Sequence, residues 1–276
     1  MRPSRFITLA AALLWATAPL AETPQRVVSL NLCTDQMAMA LAAPGQLVSV
    51  SRLAADPRSS AMAAQARDFA ANDGSAEAVV RLRPDMVLAG TWTTRATTDL
   101  LVALGYRVER FAPANSLAEA RANILRMGAL LGREDSAARM IAAFDDRLDR
   151  LRATPGPAPR TVLYYALGNT AGPDSLPGDI MAAAGLDNIA TGLGIAFYGA
   201  LPLETLVLAA PDLVLVGSPY AGHARATELL DHPALDRNGA LRVIGTGRDW
   251  TCETPALLEA VASLVALRRD WEETAR

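Results

Sequence analysis

One segment occurs twice in this chain. Residues 77–90 read Glu-Ala-Val-Val-Arg-Leu-Arg-Pro-Asp-Met-Val-Leu-Ala-Gly, and residues 204–217 read Glu-Thr-Leu-Val-Leu-Ala-Ala-Pro-Asp-Leu-Val-Leu-Val-Gly. Each copy predicts a short amphipathic helix, a Pro-Asp turn and an apolar strand that ends in glycine. The interval between the copies is far longer than the roughly 20–50 residues of a solenoid unit. It fits two similar lobes in one chain, and two such lobes with a cleft between them make a clamp for a small ligand.

The chain has 276 residues, enough for two compact lobes of about 100–150 residues each. Its residues are 51% hydrophobic, so it has the means to bury a core in each lobe. A net charge of −3, without a basic stripe, argues against a nucleic-acid surface. The N-terminus reads as an export signal: Arg2 and Arg5 supply positive charge, and Phe6 to Ala18 is an apolar run of signal length. Cleavage after Ala18 or Ala21 is expected, which makes residues 1–21 the signal and places the mature chain in a periplasm. That compartment permits disulfides.

The pattern along the chain alternates strands and helices, which implies parallel β-α-β units. Strands are expected at 26–30, 47–51, 86–89 and 107–111 in a first lobe over residues 26–115. Ser116-Leu-Ala-Glu119 is a capping-box signature that opens a helix to about Leu131. A second helix covers about Asp135 to Leu151, with Ala137, Met140, Ile141, Phe144, Leu148 and Leu151 in one stripe. At 1.5 Å per residue this rod is roughly 25 Å long, enough to tie two lobes together. Residues 116–153 are thus read as connecting helices. Thr154-Pro-Gly-Pro-Ala-Pro159 breaks regular structure. The second lobe, residues 160–276, restarts with a strand at Thr161 and repeats the order of the first.

Enzyme signatures are scarce. There is no Gly-x-Ser-x-Gly elbow, no His-Glu-x-x-His, no P-loop and no Cys-x-x-Cys. The two histidines, His223 and His232, both lie in the second lobe, and His232-Pro-Ala-Leu reads as a turn before a short helix. No resident metal site is expected, because zinc and manganese sites draw on histidine, cysteine and carboxylates. An exported α/β hydrolase is the rival from another class, but no clustered nucleophile and base supports it.

Ligands of open α/β sheets bind beyond the carboxyl ends of the strands. The residues that fall there are Asn31, Cys33, Arg52, Trp92 and Arg95 in the first lobe, and Tyr198, Tyr220, Trp250 and Cys252 in the second. Aromatic rings in that position are read either as cleft walls or as core. Cys33 and Cys252 fit three states: a disulfide across the lobes that restricts opening, free thiols, or contact with a metal in the ligand. The Cα separation decides between them. Glu77 and Glu204 sit in first helical turns, where a carboxylate stabilises the helix dipole by about 0.3–1 kcal/mol. Duplication preserves that role, and it equally preserves one projecting carboxylate per lobe.

The strand Arg26-Val-Val-Ser-Leu-Asn31, the doubled Glu-x6-Pro-Asp-x-Val-Leu segment, the long helix between the copies and Asp249-Trp250 near the end resemble the periplasmic substrate-binding proteins of iron-siderophore, haem and cobalamin ABC importers. The resemblance implies two similar α/β lobes, each with a mainly parallel sheet flanked by helices, joined by a single rigid interlobe helix. It implies a chain that is monomeric when free and has no catalytic activity. Any metal enters only as part of the transported chelate. The implied cargo is a ferric siderophore or a cobalamin-type corrinoid, with haem as the alternative. The implied partner is an inner-membrane permease whose arginines meet Glu77 and Glu204. Trp250 matches a position at which cobalamin-binding members place an aromatic residue, whereas Leu32-Cys-Thr-Asp35 and Trp250-Thr-Cys252 depart from the general pattern.

Overall fold

The computed structural model describes residues 23–152, 156–218, 224–245 and 247–274. The segment read as a signal, residues 1–21, lies outside the described residues, as do Tyr220 and His223.

The first sheet contains β1 (Val27–Ser29), β2 (Leu47–Ser51), β3 (Ala70–Asn72), β4 (Met86–Gly90) and β5 (Val108–Phe111), in the order β3-β2-β1-β4-β5. Every pairing in it is parallel. Helices α1 (Leu32–Leu41), α2 (Ala76–Leu82) and α3 (Arg95–Ala103) connect these strands. Central strand β4 is buried along its whole length, as an uninterrupted apolar run requires. Met86 and Leu88 face α1, and Val87 faces α2 and α3.

The second sheet is also parallel, with β6 (Arg160–Leu163), β8 (Asp187–Asn188), β10 (Leu213–Gly217) and β11 (Leu241–Ile244) in the order β11-β10-β6-β8. A small antiparallel pair, β7 (Asn169–Ala171) with β9 (Tyr198–Ala200), stands beside it. Helices α6 (Leu176–Ala183), α7 (Leu203–Ala209) and α8 (Leu257–Thr274) complete this lobe. A three-ten helix spans Arg225–Asp231 in this lobe.

The repeated segment has a structural cause. Arg83 and Ala210 end the short helices α2 and α7 in the left-handed conformation, with φ of 46° and 43°. The aspartate of each Pro-Asp turn then anchors the start of the neighbouring central strand. The Asp85 carboxylate accepts from the Gln25 and Arg26 N–H groups, and the Asp212 carboxylate accepts from the Arg160 N–H at 2.8 Å. Each strand-opening arginine answers through its guanidinium. Arg26 donates to the Leu82 carbonyl and Arg160 to the Ala210 carbonyl. Both lobes therefore use one device to fix helix end to strand start.

Helices α4 (Leu117–Leu131) and α5 (Glu134–Leu151) form a hairpin that runs along both lobes. Gly132 closes α4 with φ +64°, and a Cβ there would meet the Thr23 side chain at 2.7 Å. On α5 the apolar stripe changes allegiance partway. Ala137, Met140 and Ile141 pack in the core of the first lobe, and Phe144 and Leu148 in the core of the second. Helix α4 divides the same way, with Ile124, Met127 and Leu131 in the first core and Leu117 and Ala120 in the second. The strut is thus a pair of helices rather than α5 alone. No helix among the described residues is long and apolar enough to cross a membrane.

Candidate functional site

The carboxyl ends of the two parallel sheets meet. The stretch that follows β11 reaches across to three loops of the first lobe. A Cβ on Gly247 would lie 2.8 Å from the Arg58 carbonyl oxygen, in the loop after β2. Cys252 is joined by a disulfide to Cys33 at the start of α1, with a Cα separation of 4.8 Å. The Glu253 carboxylate accepts from the Ala114 N–H, just after β5, at 2.7 Å. The α4–α5 hairpin is bound to the second lobe through Asp179, which accepts from the Leu117 N–H at 2.7 Å, and through an Arg147–Glu259 ion pair.

Trp92 stands at the free part of this junction and is 84% exposed. A tight turn lifts it there: the Gly90 N–H donates to the Thr93 hydroxyl, and the Thr93 N–H donates back to the Gly90 carbonyl. From the second lobe, Tyr198 is 54% exposed and packs edge-on against Phe197, with ring centroids 4.7 Å apart. Leu167 is also exposed, held in the left-handed conformation at φ 61° in the loop beyond β6. Burial of its hydroxyl pushes the Tyr198 phenol above its ordinary range, so it stays neutral at physiological pH. Phe197 and Leu167 were not singled out by the sequence. The adjacent aromatic pair was the available signal for Phe197; Leu167 gave none.

Arg52 follows β2 with a largely exposed side chain, 4.0 Å from the Asp73 carboxylate. Arg95 opens α3 and is exposed. Between the lobes lies a hollow of about 300 Å³, lined by Pro57, Arg58, Ser218, Gly245, Gly247, Arg248 and Asp249. A larger hollow of about 750 Å³ borders Leu206, Ala210, Leu235 and Trp271. It lies at the amino ends of β10 and β11, on the edge of the second lobe turned away from the first.

Several of the expected site residues have other work. Asn31 is the N-cap of α1, its side-chain oxygen accepting from the Cys33 and Thr34 N–H groups. Its amide lies over Gly90, where a Cβ would come within 2.7 Å. Cys252 is buried in the disulfide. Trp250, read as a cleft aromatic, is only 6% exposed and belongs to the core of the second lobe. The reason is the turn that carries the chain to Cys252: the Trp250 N–H donates to the Gly247 carbonyl, and the indole folds inward. Its ring N–H finds no hydrogen-bond partner among the described residues. His232 plays the turn role read from sequence, its Nδ1 accepting from the Ala234 N–H. Among the described residues no group of three or more metal-ligating side chains is placed to hold an ion.

Glu77 and Glu204 occupy the first turns of α2 and α7 and are exposed. Glu77 pairs with Arg81 one turn on, at 2.7 Å. Helices of a parallel β-α-β unit run against their strands. Both glutamates therefore project from the cleft-side rim, one per lobe.

Beneath the first-lobe wall lies Asp35, fully buried on α1. It accepts from the Ser51 N–H at 3.1 Å and the Ser51 hydroxyl at 2.5 Å. Burial pushes its carboxyl up to about 6, against the opposing pull of its hydrogen bonds. Between about pH 4 and 6 the folded chain holds a proton here that the unfolded chain has released. Rising pH therefore removes stability across that window, by ~2–3 kcal/mol. Asp35→Asn is expected to flatten this stretch of the stability–pH curve and to raise the urea midpoint above pH 6. An unchanged pH profile would show that Asp35 is ionised throughout.

Two parallel α/β lobes on a helical strut, with exposed aromatic side chains at their facing rims, define a ligand-capturing protein of the two-lobed kind. Residues 27–242 match the family model described as periplasmic binding protein. The chain belongs to that family of periplasmic binding proteins. It is 30% identical over 221 residues to a cobalamin-binding protein of Halobacterium salinarum, an alignment that covers 78% of this chain and 60% of that protein. The chain thus spans about three fifths of the length of this curated relative. Among solved structures, a periplasmic heme-binding protein from Pseudomonas aeruginosa aligns with a TM-score of 0.69 at 25% identity, over 88% of this chain and 92% of that one. The apo form of the periplasmic heme-binding protein RhuT from Roseiflexus sp. RS-1 has a TM-score of 0.71 at 21% identity, over 90% and 98% of the two chains.

Proposed function

We propose that this chain is the capture component of an ABC importer for a tetrapyrrole metal chelate, held between the lobes and delivered to an inner-membrane permease. The observation that carries this reading is the apolar rim. Trp92 from one lobe and Leu167, Phe197 and Tyr198 from the other leave broad apolar faces in water at the carboxyl edge of the sheets. A flat macrocycle suits such walls, because aromatic faces stack on it and the metal is carried within the ring. The ligands named for the relatives, cobalamin and haem, favour the tetrapyrrole part of the sequence expectation over a ferric siderophore. Haem, named for both solved relatives quoted above, is the first to test.

The test is a titration of the purified chain with haem and with cobalamin, followed by tryptophan fluorescence and by the absorbance of the chelate. One of the two is expected to bind saturably. Trp92→Ala is expected to weaken that chelate about tenfold, the equivalent of ~1.4 kcal/mol of lost ring contact. Failure of both chelates to bind would overturn the tetrapyrrole reading. Full affinity in Trp92→Ala would remove Trp92 from the site.

A further inference from the structure

Three interlobe contacts that the stretch 247–253 makes among the described residues differ in strength. The Gly247 contact with Arg58 is steric. Glu253 Oε1 accepts from the Ala114 N–H at 2.7 Å and from the Asn123 amide at 3.3 Å. Its other oxygen, Oε2, is buried without a hydrogen-bond partner among the described residues. A buried carboxyl with one oxygen unsatisfied gains hydration when it reaches water, so this contact alone holds weakly. Burial accordingly pushes the Glu253 carboxyl upward. Only the Cys33–Cys252 bond is covalent, and it lies between the other two contacts in sequence.

We propose that the Cys33–Cys252 disulfide is a redox-set clasp: oxidised, it seats residues 247–253 on the first lobe and fixes the width of the cleft; reduced, it lets that stretch lift away. Cys33 is partly exposed and Cys252 is buried, so an incoming thiolate meets the Cys33 sulfur. A dithiol reductant attacks there, forms a mixed disulfide and expels the Cys252 thiolate. Its second thiol then releases Cys33. Two electrons and two protons pass to the pair, giving two thiols, and the reductant becomes a disulfide. The core contacts of α4 and α5 are untouched by this exchange, so the lobes stay joined by the strut while the clasp opens. The inference does not depend on which chelate the cleft takes.

The test needs no ligand. These are the only two cysteines of the chain, so dithiothreitol acts at this bond alone. Amide hydrogen exchange of the purified protein is followed by mass spectrometry before and after reduction. Peptides covering 112–116 and 247–256 are expected to exchange at least about tenfold faster after reduction, while the α4 interior around Ile124 and Met127 keeps its protection. Cys33→Ser with Cys252→Ser should reproduce the reduced pattern. Unchanged exchange in both peptides would overturn the clasp. So would a uniform loss of protection along the chain, which would make the bond a general staple rather than a local latch.

Discussion

Phe144→Ala lowers the free energy of unfolding by about 3–5 kcal/mol, the range for an aromatic side chain removed from a close-packed core. Phe144 is among the largest fully enclosed side chains of the protein and lies where the α5 stripe passes from one lobe to the other. Its ring packs in the second core, while Ala137 and Ile141, on the same helix, belong to the first. Truncation therefore leaves a cavity at the point where the strut grips the second lobe. Neither neighbouring turn is free to collapse into it without disturbing the other lobe. Met140→Ala, at a partly buried position of the same stripe, is expected to cost clearly less. Urea unfolding of the two variants checks the pair. A Phe144→Ala loss below about 1 kcal/mol, or one no larger than that of Met140→Ala, would show that α5 is not the shared wall described above.

The doubled segment and the two amphipathic helices made the architecture legible. Parallel strands buried on both faces leave continuous apolar runs, and long helices leave a stripe at helical spacing. Strands β3, β7, β8 and β9 left no such trace. They are two or three residues long and include Asn72, Asn169, Asp187 and Gly199, so local pattern carries little weight against pairing with a neighbour. The candidate site was legible in part. Trp92, expected beyond the carboxyl end of a parallel strand, is exposed after β4, and Tyr198, expected in the same region, is exposed at the start of the antiparallel strand β9. Trp250 obeys the same rule in sequence but not in space. The chain beyond β11 must turn inward to bring Cys252 within 4.8 Å, Cα to Cα, of Cys33, and the turn carries the indole into the core. That requirement joins residues 219 positions apart and exists only once both lobes are folded.

The strut and the disulfide together bear on the expectation that a permease docks at Glu77 and Glu204. A receptor read by two points, one per lobe, needs a fixed distance between them. The α4–α5 hairpin is shared by both cores, and the stretch after β11 is tied to the first lobe. Glu77 and Glu204 are thereby held on rims whose spacing the fold sets, rather than on loops that find their geometry on contact. Preorganisation of this kind reduces the ordering cost of association.

Charge reversal at both rims, Glu77→Arg with Glu204→Arg, is expected to abolish uptake while chelate affinity stays within about twofold. An interfacial carboxylate that meets an arginine contributes about 2 kcal/mol when truncated, so two independent sites amount to about a thousandfold in docking affinity. Reversal replaces attraction with repulsion, which makes that figure a lower bound. Each single reversal should weaken docking by roughly thirtyfold, and the two effects should add, because the sites lie on separate lobes. The competing role is local. Glu77 sits in the first turn of α2 and pairs with Arg81, contributions of about 0.3–1 kcal/mol to helix stability. Glu204, in the first turn of α7, is placed to make the dipole contribution. If stabilising those helices were their whole function, the double variant would melt slightly earlier and import normally. Uptake by cells carrying the cognate permease, measured beside chelate binding and thermal unfolding of the same variant, separates the two. Full uptake with a lowered melting point would leave the glutamates as first-turn stabilisers of their helices and remove them from the docking surface.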